Sequence, residues 1–135
     1  MSKRILLVED ERVDQVFIVR AINKIADDIE IEIAKNGEEA LAAIKKNGAP
    51  CLIVTDLNMP IMDGHALLDA LAADEALQNI PTIVLSTSDA RHQVKLSYEK
   101  RANAYMVKPS SPSAYSRIAE SLYDFWFKVA RLPAC

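Results

Sequence analysis

Short apolar runs recur along the chain and indicate five β-strands. The runs 4–8 and 51–55 are almost continuously aliphatic, which is typical of strands that are buried on both faces. In residues 29–33 isoleucine alternates with glutamate, the period expected of a strand with one wetter face at the edge of a sheet. Residues 81–85 and 104–107 supply the fourth and fifth runs. Turn-forming residues separate these runs, so the pattern predicts five distinct strands.

Amphipathic stretches lie between these strands and after the last one. Their apolar residues recur at helical spacing, as on the buried face of a surface helix. Residues with capping chemistry precede four of the stretches: Asn36, Asp63, Asp89 and Ser111. The pattern predicts helices over about 12–26, 37–47, 64–74, 90–100 and 112–131. The fourth of these is rather polar, and we expect it to be only lightly docked.

The fivefold alternation of strand and helix predicts a parallel sheet with right-handed crossovers. We expect an α/β fold: a three-layer α/β/α sandwich around a doubly wound, flavodoxin-like sheet with strand order 2-1-3-4-5. Residues 1–135 suit one domain, with no length left for an output domain. In this order Glu9, Asp10 and Asp56 meet at the carboxyl edge of the sheet, where ligands bind.

Composition narrows the partners and the compartment. The net charge of -3 provides no basic footprint for nucleic acid. No run approaches the roughly 20 apolar residues of a membrane span, and acids follow the first strand too soon for a signal peptide. We therefore predict a cytoplasmic protein. Cys51 and Cys135 show neither metal-ligand spacing nor a disulfide framework, and we expect two free thiols.

Asp56 is the residue whose position calls most strongly for a chemical role. It ends a buried strand, although an acid there could also simply cap the following loop or helix. Together with Glu9 and Asp10 it would form a repulsive cluster, which a hard divalent cation such as Mg²⁺ relieves. Lys108 and Ser86 end strands at the same edge and are natural partners for phosphoryl oxygens. The residues therefore predict a phosphoryl-transfer site.

These features closely resemble the receiver domain of two-component response regulators. The matching motifs are, in chain order, Glu9-Asp10, Asp56 with Asn58-Met59-Pro60 and Gly64, Ser86, and Tyr105 with Lys108-Pro109. They span nearly the whole chain in the right order, and such a set is far more specific than any one motif alone. The resemblance implies a self-phosphorylating phosphoacceptor that also dephosphorylates itself, and not an enzyme in the ordinary sense.

The resemblance also implies a role for each matching residue. A histidine kinase of a phosphorelay would transfer a phosphoryl group to Asp56. Mg²⁺, or Mn²⁺ in its place, would be bound by Asp10, by Asp56 and by the backbone carbonyl of Asn58, with Glu9 acting through water. On the product side, Lys108 would pair with the acyl phosphate.

A switch would follow from this transfer. Ser86 would hydrogen-bond to the phosphoryl group after the fourth strand shifts, and the ring of Tyr105 would change rotamer with it. We expect Asn58 and Ser88, which flank the path of the hydrolytic water, to tune dephosphorylation. The surface that changes would be formed by the fourth helix, the fifth strand and the fifth helix.

The chain departs from the family pattern at two positions. Arg101 stands where the family often has glycine, so a left-handed backbone there would cost about 1 kcal/mol and could change the end of the fourth helix. Thr87 replaces a commoner alanine beside Ser86, which could narrow the access of the phosphodonor or of water.

The last predicted helix carries more apolar surface than one sheet face can cover. One stripe comprises Tyr115, Ile118, Ala119, Leu122, Trp126 and Val129, and a second comprises Tyr123, Phe127 and Ala130. The second stripe is either a set of scattered exposed aromatics or a surface for a homodimer or partner, which we favour. The sequence around this helix resembles single-domain regulators paired with bacterial phytochromes, which implies a phytochrome kinase as partner.

Two other classes of protein remain as alternatives. Aspartate-nucleophile phosphohydrolases also attack phosphate with a strand-end aspartate, but they need a second aspartate two residues later as acid and base, and here that residue is Asn58. A pseudo-receiver would act as a scaffold without phosphorylation. This alternative ranks low because every acid, hydroxyl and lysine that the chemistry needs is present.

Overall fold

The computed structural model describes residues 3–135 as a parallel five-stranded sheet with strand order β2-β1-β3-β4-β5, which confirms the predicted fold class. The strands are Lys3–Val8 (β1), Ile29–Ala34 (β2), Leu52–Thr55 (β3), Thr82–Ser86 (β4) and Ala104–Val107 (β5). The helices are Arg12–Ile25 (α1), Gly37–Asn47 (α2), Gly64–Ala73 (α3), Arg91–Glu99 (α4) and, after a 3₁₀ turn at Pro112–Ala114, Tyr115–Leu122 (α5).

The core lies on both faces of the sheet because successive strand residues point in opposite directions. Leu7 and Val54 pack with α1 and α5 on one face. Leu6 and Ile53 pack with α2 and α3 on the other. All residues of β3 and β4 are buried, whereas every residue of β5 is partly or largely exposed. The predicted three layers therefore follow directly from strands that are apolar on both faces.

Two of the four predicted helix caps form a side-chain hydrogen bond, whereas Asp89 and Ser111 do not. The Asn36 side chain accepts from Glu39 N at 2.9 Å, and Asp63 accepts from Ala66 N at 2.8 Å. Asp89 does not cap α4, because the helix begins one residue later and Ala90 takes the cap position. Within α4 only Ser97 is buried, as its polar sequence predicted. Among residues 3–135 no helix combines the length and the apolar character that a bilayer crossing requires.

Arg101 ends α4 in the left-handed region, with φ of 74°. Its N–H donates to Tyr98 O at 3.0 Å, and the next N–H, of Ala102, donates to Ser97 O at 3.0 Å. This is the usual helix ending that glycine favours. Arg101 therefore adopts the left-handed backbone in spite of its cost. The end of α4 has the shape that glycine would give it, and the change of shape that the arginine suggested does not occur.

Replacing Arg101 by glycine is expected to raise the free energy of unfolding by about 0.5–1 kcal/mol, because glycine removes the cost of the left-handed backbone. The greater flexibility of glycine in the unfolded chain offsets part of this gain. Urea denaturation measures the difference. Lys95→Gly is the matched control, since Lys95 lies in the middle of the same helix and its substitution should lower stability by about 1 kcal/mol. A destabilised Arg101→Gly variant would contradict the explanation.

The last helix changes its winding halfway along. After α5 the chain continues as a π-helical segment, Tyr123–Val129, whose wider turn alters which residues face inward. Tyr123, Trp126 and Phe127 pack against the core, while Val129 is 74% exposed. The prediction of Val129 in the core stripe is therefore wrong, because it assumed α-helical spacing throughout. Ala130, already past the segment, has extended backbone.

The expectation of two free thiols is also wrong. Cys51 and Cys135 form a disulfide, with their Cα atoms 5.5 Å apart and a sequence separation of 84. Cys51 is buried just before β3, and Cys135 lies after the π-helical segment. The bond therefore ties the end of the chain to the amino-terminal edge of the central strand, away from Asp56.

Candidate metal and phosphoryl site

The carboxyl ends of β1 and β3 place the predicted acids side by side. Val8 and Thr55 are paired in register, so Glu9 and Asp56 follow at the same level of the sheet. The Asp56 N–H donates to Val8 O at 2.9 Å, which continues the ladder by one residue. Both acids are buried, Glu9 to 1% exposure and Asp56 to 8%.

Glu9, Asp10 and Asp56 form an acidic cluster that suits a divalent cation. One carboxylate oxygen from each lies within 4.8 Å of the others. Within the part of the chain that the structure describes, Asp10 Oδ1 is buried without any hydrogen-bond partner. A buried carboxylate oxygen left in this state is costly, and a cation would satisfy it. Oxygen ligands of this number and charge are those that Mg²⁺ binds, as the sequence predicted.

Lys108 closes the cluster from the side of β5. Its ammonium Nζ lies 2.6 Å from Glu9 Oε1, 2.8 Å from Asp14 Oδ2 and 2.9 Å from Asp56 Oδ2. Burial disfavours the charged lysine, but hydrogen bonds to Asp14, Glu9 and Asp56 outweigh burial and raise the lysine pKa above its usual value. The lysine therefore stays charged and offsets part of the acidic charge.

Glu9 has an unusual affinity for a proton. Burial raises the pKa of its carboxyl to about 7, with a further contribution from the charge of Asp56, although the hydrogen bond from Lys108 acts in the opposite direction. Its Oε2 accepts from Glu11 N at 3.1 Å. A nearby cation favours the charged form of this carboxyl, so a cation that binds at the cluster would displace a proton from Glu9 near neutral pH.

The predicted switch residues lie on two adjacent strands. Ser86 is fully buried at the end of β4, where its Oγ accepts from Ser88 N at 3.3 Å and its carbonyl accepts from Lys108 N at 2.8 Å. The Tyr105 hydroxyl donates to Ser88 O at 2.7 Å. The tyrosine on β5 is thus tied to the loop after β4. Sequence alone did not reveal this contact.

The other predicted residues take more open positions. Asn58 and Thr87 are exposed at the same edge of the sheet, and Ser88 is half-buried. Tyr123 and Phe127 lie away from the site, half-buried against the core with their rings stacked 6.3 Å apart. Their role as a dimer surface stays a prediction.

Two residues of the site were missed from sequence. Asp14 lies in the first turn of α1 and reaches Lys108, and Tyr115 at the start of α5 donates to Asp14 Oδ1 at 3.4 Å. A signal for Asp14 was present, because the first turn of the helix after β1 must lie near the carboxyl edge. No sequence pattern pointed to Tyr115, which was counted only as a core residue.

The loop that carries Asp56 into α3 depends on Gly64. The Gly64 N–H donates to Leu57 O at 2.9 Å, which brings the start of α3 against the backbone of the Asp56 turn. A Cβ at this position would lie 2.8 Å from Leu57 Cα and closer still to the carbonyl oxygen of Asp56. Only glycine permits this approach, so the match at Gly64 has a steric cause.

Comparison with known proteins agrees with this geometry. A family model described as the response regulator receiver domain matches residues 5–120. Response regulator Rcp1 of Synechocystis sp. is 32% identical over 138 residues, which cover 98% of this chain and 94% of that protein.

Solved structures agree as well. That of the phosphorylated cyanobacterial phytochrome response regulator RcpA has a TM-score of 0.92 at 33% identity and covers 98% of this chain and 99% of its own. The Mn²⁺-bound form of response regulator Rcp1 gives 0.87 at 32% identity, with coverage of 97% and 99%. Response regulator RPA3017, in red light signaling of R. palustris, gives 0.87 at 28% identity, with coverage of 97% and 98%. Since the family model and these relatives span most of its length, the chain belongs to the response regulator receiver domains of two-component signalling.

Proposed function

We propose that a histidine kinase transfers a phosphoryl group to Asp56 of this receiver domain. The observation that carries the proposal is the 2.9 Å contact between Lys108 Nζ and Asp56 Oδ2 within a cluster of acids. The other oxygen, Asp56 Oδ1, accepts from Leu57 N at 2.7 Å, which fixes the orientation of the carboxylate. Charge neutralisation and a fixed nucleophile are the two requirements of phosphoryl transfer to a carboxylate.

In the transfer, a carboxylate oxygen of Asp56 attacks the phosphorus of the donor phosphohistidine. A P–O bond forms while the N–P bond breaks, and the electron pair of the broken bond returns to the imidazole nitrogen. No proton has to be removed from the carboxylate beforehand, so the site needs no general base. Lys108 offsets the charge on the phosphoryl oxygens in the transition state.

A divalent cation, when bound, would add Lewis-acid neutralisation of the phosphoryl oxygens. Asp10, Asp56 and the Asn58 carbonyl would hold it, with Glu9 acting through water. The buried, unpaired Asp10 Oδ1 supports this assignment.

The phosphorylated state would be read out by Ser86, Lys108 and Tyr105. A phosphoryl group adds strong acceptors next to Asp56, and Ser86 Oγ would leave Ser88 N to donate to one of them. Because Tyr105 is bonded to the carbonyl of the same Ser88, the movement would reach β5 and α4. We propose that Asn58 and Ser88 set the rate of hydrolysis from the open side of the site.

Receiver domains generally act as signal transducers and pair with histidine kinases. The description of RcpA as a phytochrome regulator and of RPA3017 as part of red light signalling supports a bacterial phytochrome kinase as the partner. Phosphotransfer profiling against the kinases of the host, under red light and in darkness, tests this pairing. Preference for a kinase without a light sensor would contradict it.

Homodimerisation and a cytoplasmic location belong to the same proposal. The dimer would use α4, β5 and the last helix with Tyr123, Phe127 and Ala130, and the exposed Phe125 and Val129 beside them support an interface. Sedimentation equilibrium with and without phosphorylation tests it. The net negative charge supports a role without nucleic acid. Thiol trapping in cells tests the location, because the cytoplasm would keep Cys51 and Cys135 reduced, and a trapped Cys51–Cys135 disulfide would contradict a cytoplasmic location.

Incubation with acetyl phosphate and Mg²⁺ tests the phosphoacceptor. Intact-mass measurement is expected to show one phosphoryl group on the wild type and none on Asp56→Asn. Asp89→Asn is the control, because Asp89 is an exposed acid in the loop after β4. A wild type that never carries the group would indicate a scaffold, and rapid release of phosphate without a detectable adduct would indicate a hydrolase.

A further inference from the structure

Lys108 has a third acidic partner that the roles above do not use. Asp14 Oδ2 lies 2.8 Å from Lys108 Nζ, as close as Asp56 Oδ2 at 2.9 Å. Asp14 comes from α1, 94 residues away in sequence, and is not part of the three-residue cluster of possible metal ligands. Asp14 therefore acts on the lysine and leaves the cation position to the other acids.

Asp14 is also held from its other side. The hydroxyl of Tyr115, a residue only 5% exposed, donates to Asp14 Oδ1 at 3.4 Å. The Tyr115 ring lies 5.7 Å from that of Phe17 on α1, so the tyrosine is fixed by packing. Burial, together with the charge of Asp14, raises the pKa of Tyr115 to about 12, and the phenol remains a neutral donor. The carboxylate is thus aimed at Lys108 by two helices.

The ammonium of Lys108 is hydrogen-bonded to Asp14 and Asp56 and ion-paired with Glu9 before any phosphoryl group is present. An ammonium carries three N–H donors, and Glu9, Asp14 and Asp56 lie around it as acceptors. A phosphoryl group on Asp56 brings new oxygens that need one of these donors, and its charge is repelled by Asp14. We propose that Asp14 is a positioning residue that holds Lys108 in the phosphoryl-free site and competes with the phosphoryl group for it. This inference rests on the proposed role of Asp56.

The test is the affinity for beryllofluoride, a stable mimic of the phosphoryl group, in the presence of saturating Mg²⁺. Asp14→Asn keeps the shape of the side chain and an acceptor for Tyr115 but removes the charge. We expect it to bind beryllofluoride about tenfold more tightly than the wild type, by titration calorimetry. A variant that only loosened the packing of α1 would bind more weakly, so a gain in affinity separates the proposed role from a structural one.

Two variants serve as controls. Glu11→Gln removes an exposed charge from the same segment without touching Lys108, and its affinity should change by about twofold or less. Asp14→Glu retains the charge and should bind as the wild type does. If Asp14→Asn is too unstable to measure, Asp14→Ser removes the same charge.

If the wild type binds beryllofluoride and the uncharged variant binds it equally or more weakly, Asp14 does not compete with the phosphoryl group for Lys108. The proposed role of Asp56 would stand in that case. A wild type that fails to bind beryllofluoride would overturn the proposed function of Asp56, and this inference with it.

Discussion

Gly64→Ala is expected to lower the free energy of unfolding by about 3 kcal/mol or more and to abolish phosphoryl uptake at Asp56. The added Cβ would lie 2.8 Å from Leu57 Cα and would press on the carbonyl of Asp56. These are backbone atoms of the turn that carries Asp56, so they cannot relieve the clash by a change of rotamer as a flexible side chain can. Either α3 moves away from the sheet or the Asp56 turn is displaced.

Urea denaturation and uptake from acetyl phosphate measure the two effects. Gly37→Ala is the matched control, because its Cβ would meet only the flexible side chain of Met62, at 2.6 Å from Cγ, together with Leu67 Cβ at 3.2 Å. We expect this control to lose about 1 kcal/mol or less and to keep its phosphoryl uptake. Equal losses of stability and of phosphoryl uptake in both variants would contradict a special steric requirement for glycine at position 64.

Reduction of the Cys51–Cys135 disulfide is expected to lower the free energy of unfolding by about 4 kcal/mol. The bond closes a loop with a sequence separation of 84, and opening it returns the conformational freedom of that loop to the unfolded chain. Guanidinium denaturation with and without dithiothreitol measures the change, and a thiol count verifies each state.

Cys135→Ser is the cleaner control variant for this experiment. Cys135 is exposed, whereas the sulfur of Cys51 is buried and accepts from Arg4 N at 3.3 Å. The serine variant should match the reduced wild type, and dithiothreitol should leave it unchanged. If the wild type showed the same midpoint with and without reductant, the bond would not contribute to stability.

The fold was accessible from the sequence because local patterns and topology agree. Aliphatic runs such as 4–8 fixed the buried strands, and caps such as Asn36 and Asp63 fixed the starts of two helices. The 2-1-3-4-5 order then followed from general rules for parallel sheets. Asp89 failed as a cap because α4 begins one residue later than the residue types predict, which puts Ala90 at the cap position.

The candidate site could be predicted where its residues end strands. Glu9, Asp56 and Lys108 all follow strands of one sheet, so topology alone brings them together. Asp14 and Tyr115 reach the site from helices, and their side-chain directions depend on how α1 and α5 pack. That packing involves residues about a hundred positions apart, and no local pattern reports it.

The carboxyl-terminal part was the least predictable. An α-helical period placed Val129 in the core, but a π-helical turn rotates the stripe, and nothing in the residue types marks where the winding changes. The disulfide was missed for a similar reason, since two cysteines 84 residues apart carry no spacing signal. In both cases long-range packing decides the outcome.

The strands that carry Asp56 and Lys108 differ in burial. Asp56 follows β3, whose four residues are all buried, whereas Lys108 follows β5, where Val107 is 43% exposed. The acceptor thus follows a fully buried strand, whereas the lysine follows a partly exposed strand at the edge of the sheet. When Asp56 and Lys108 are drawn together, we expect mainly the edge strand β5 to move. The change at Asp56 would therefore reach the outer surface of the protein while the core stays in place.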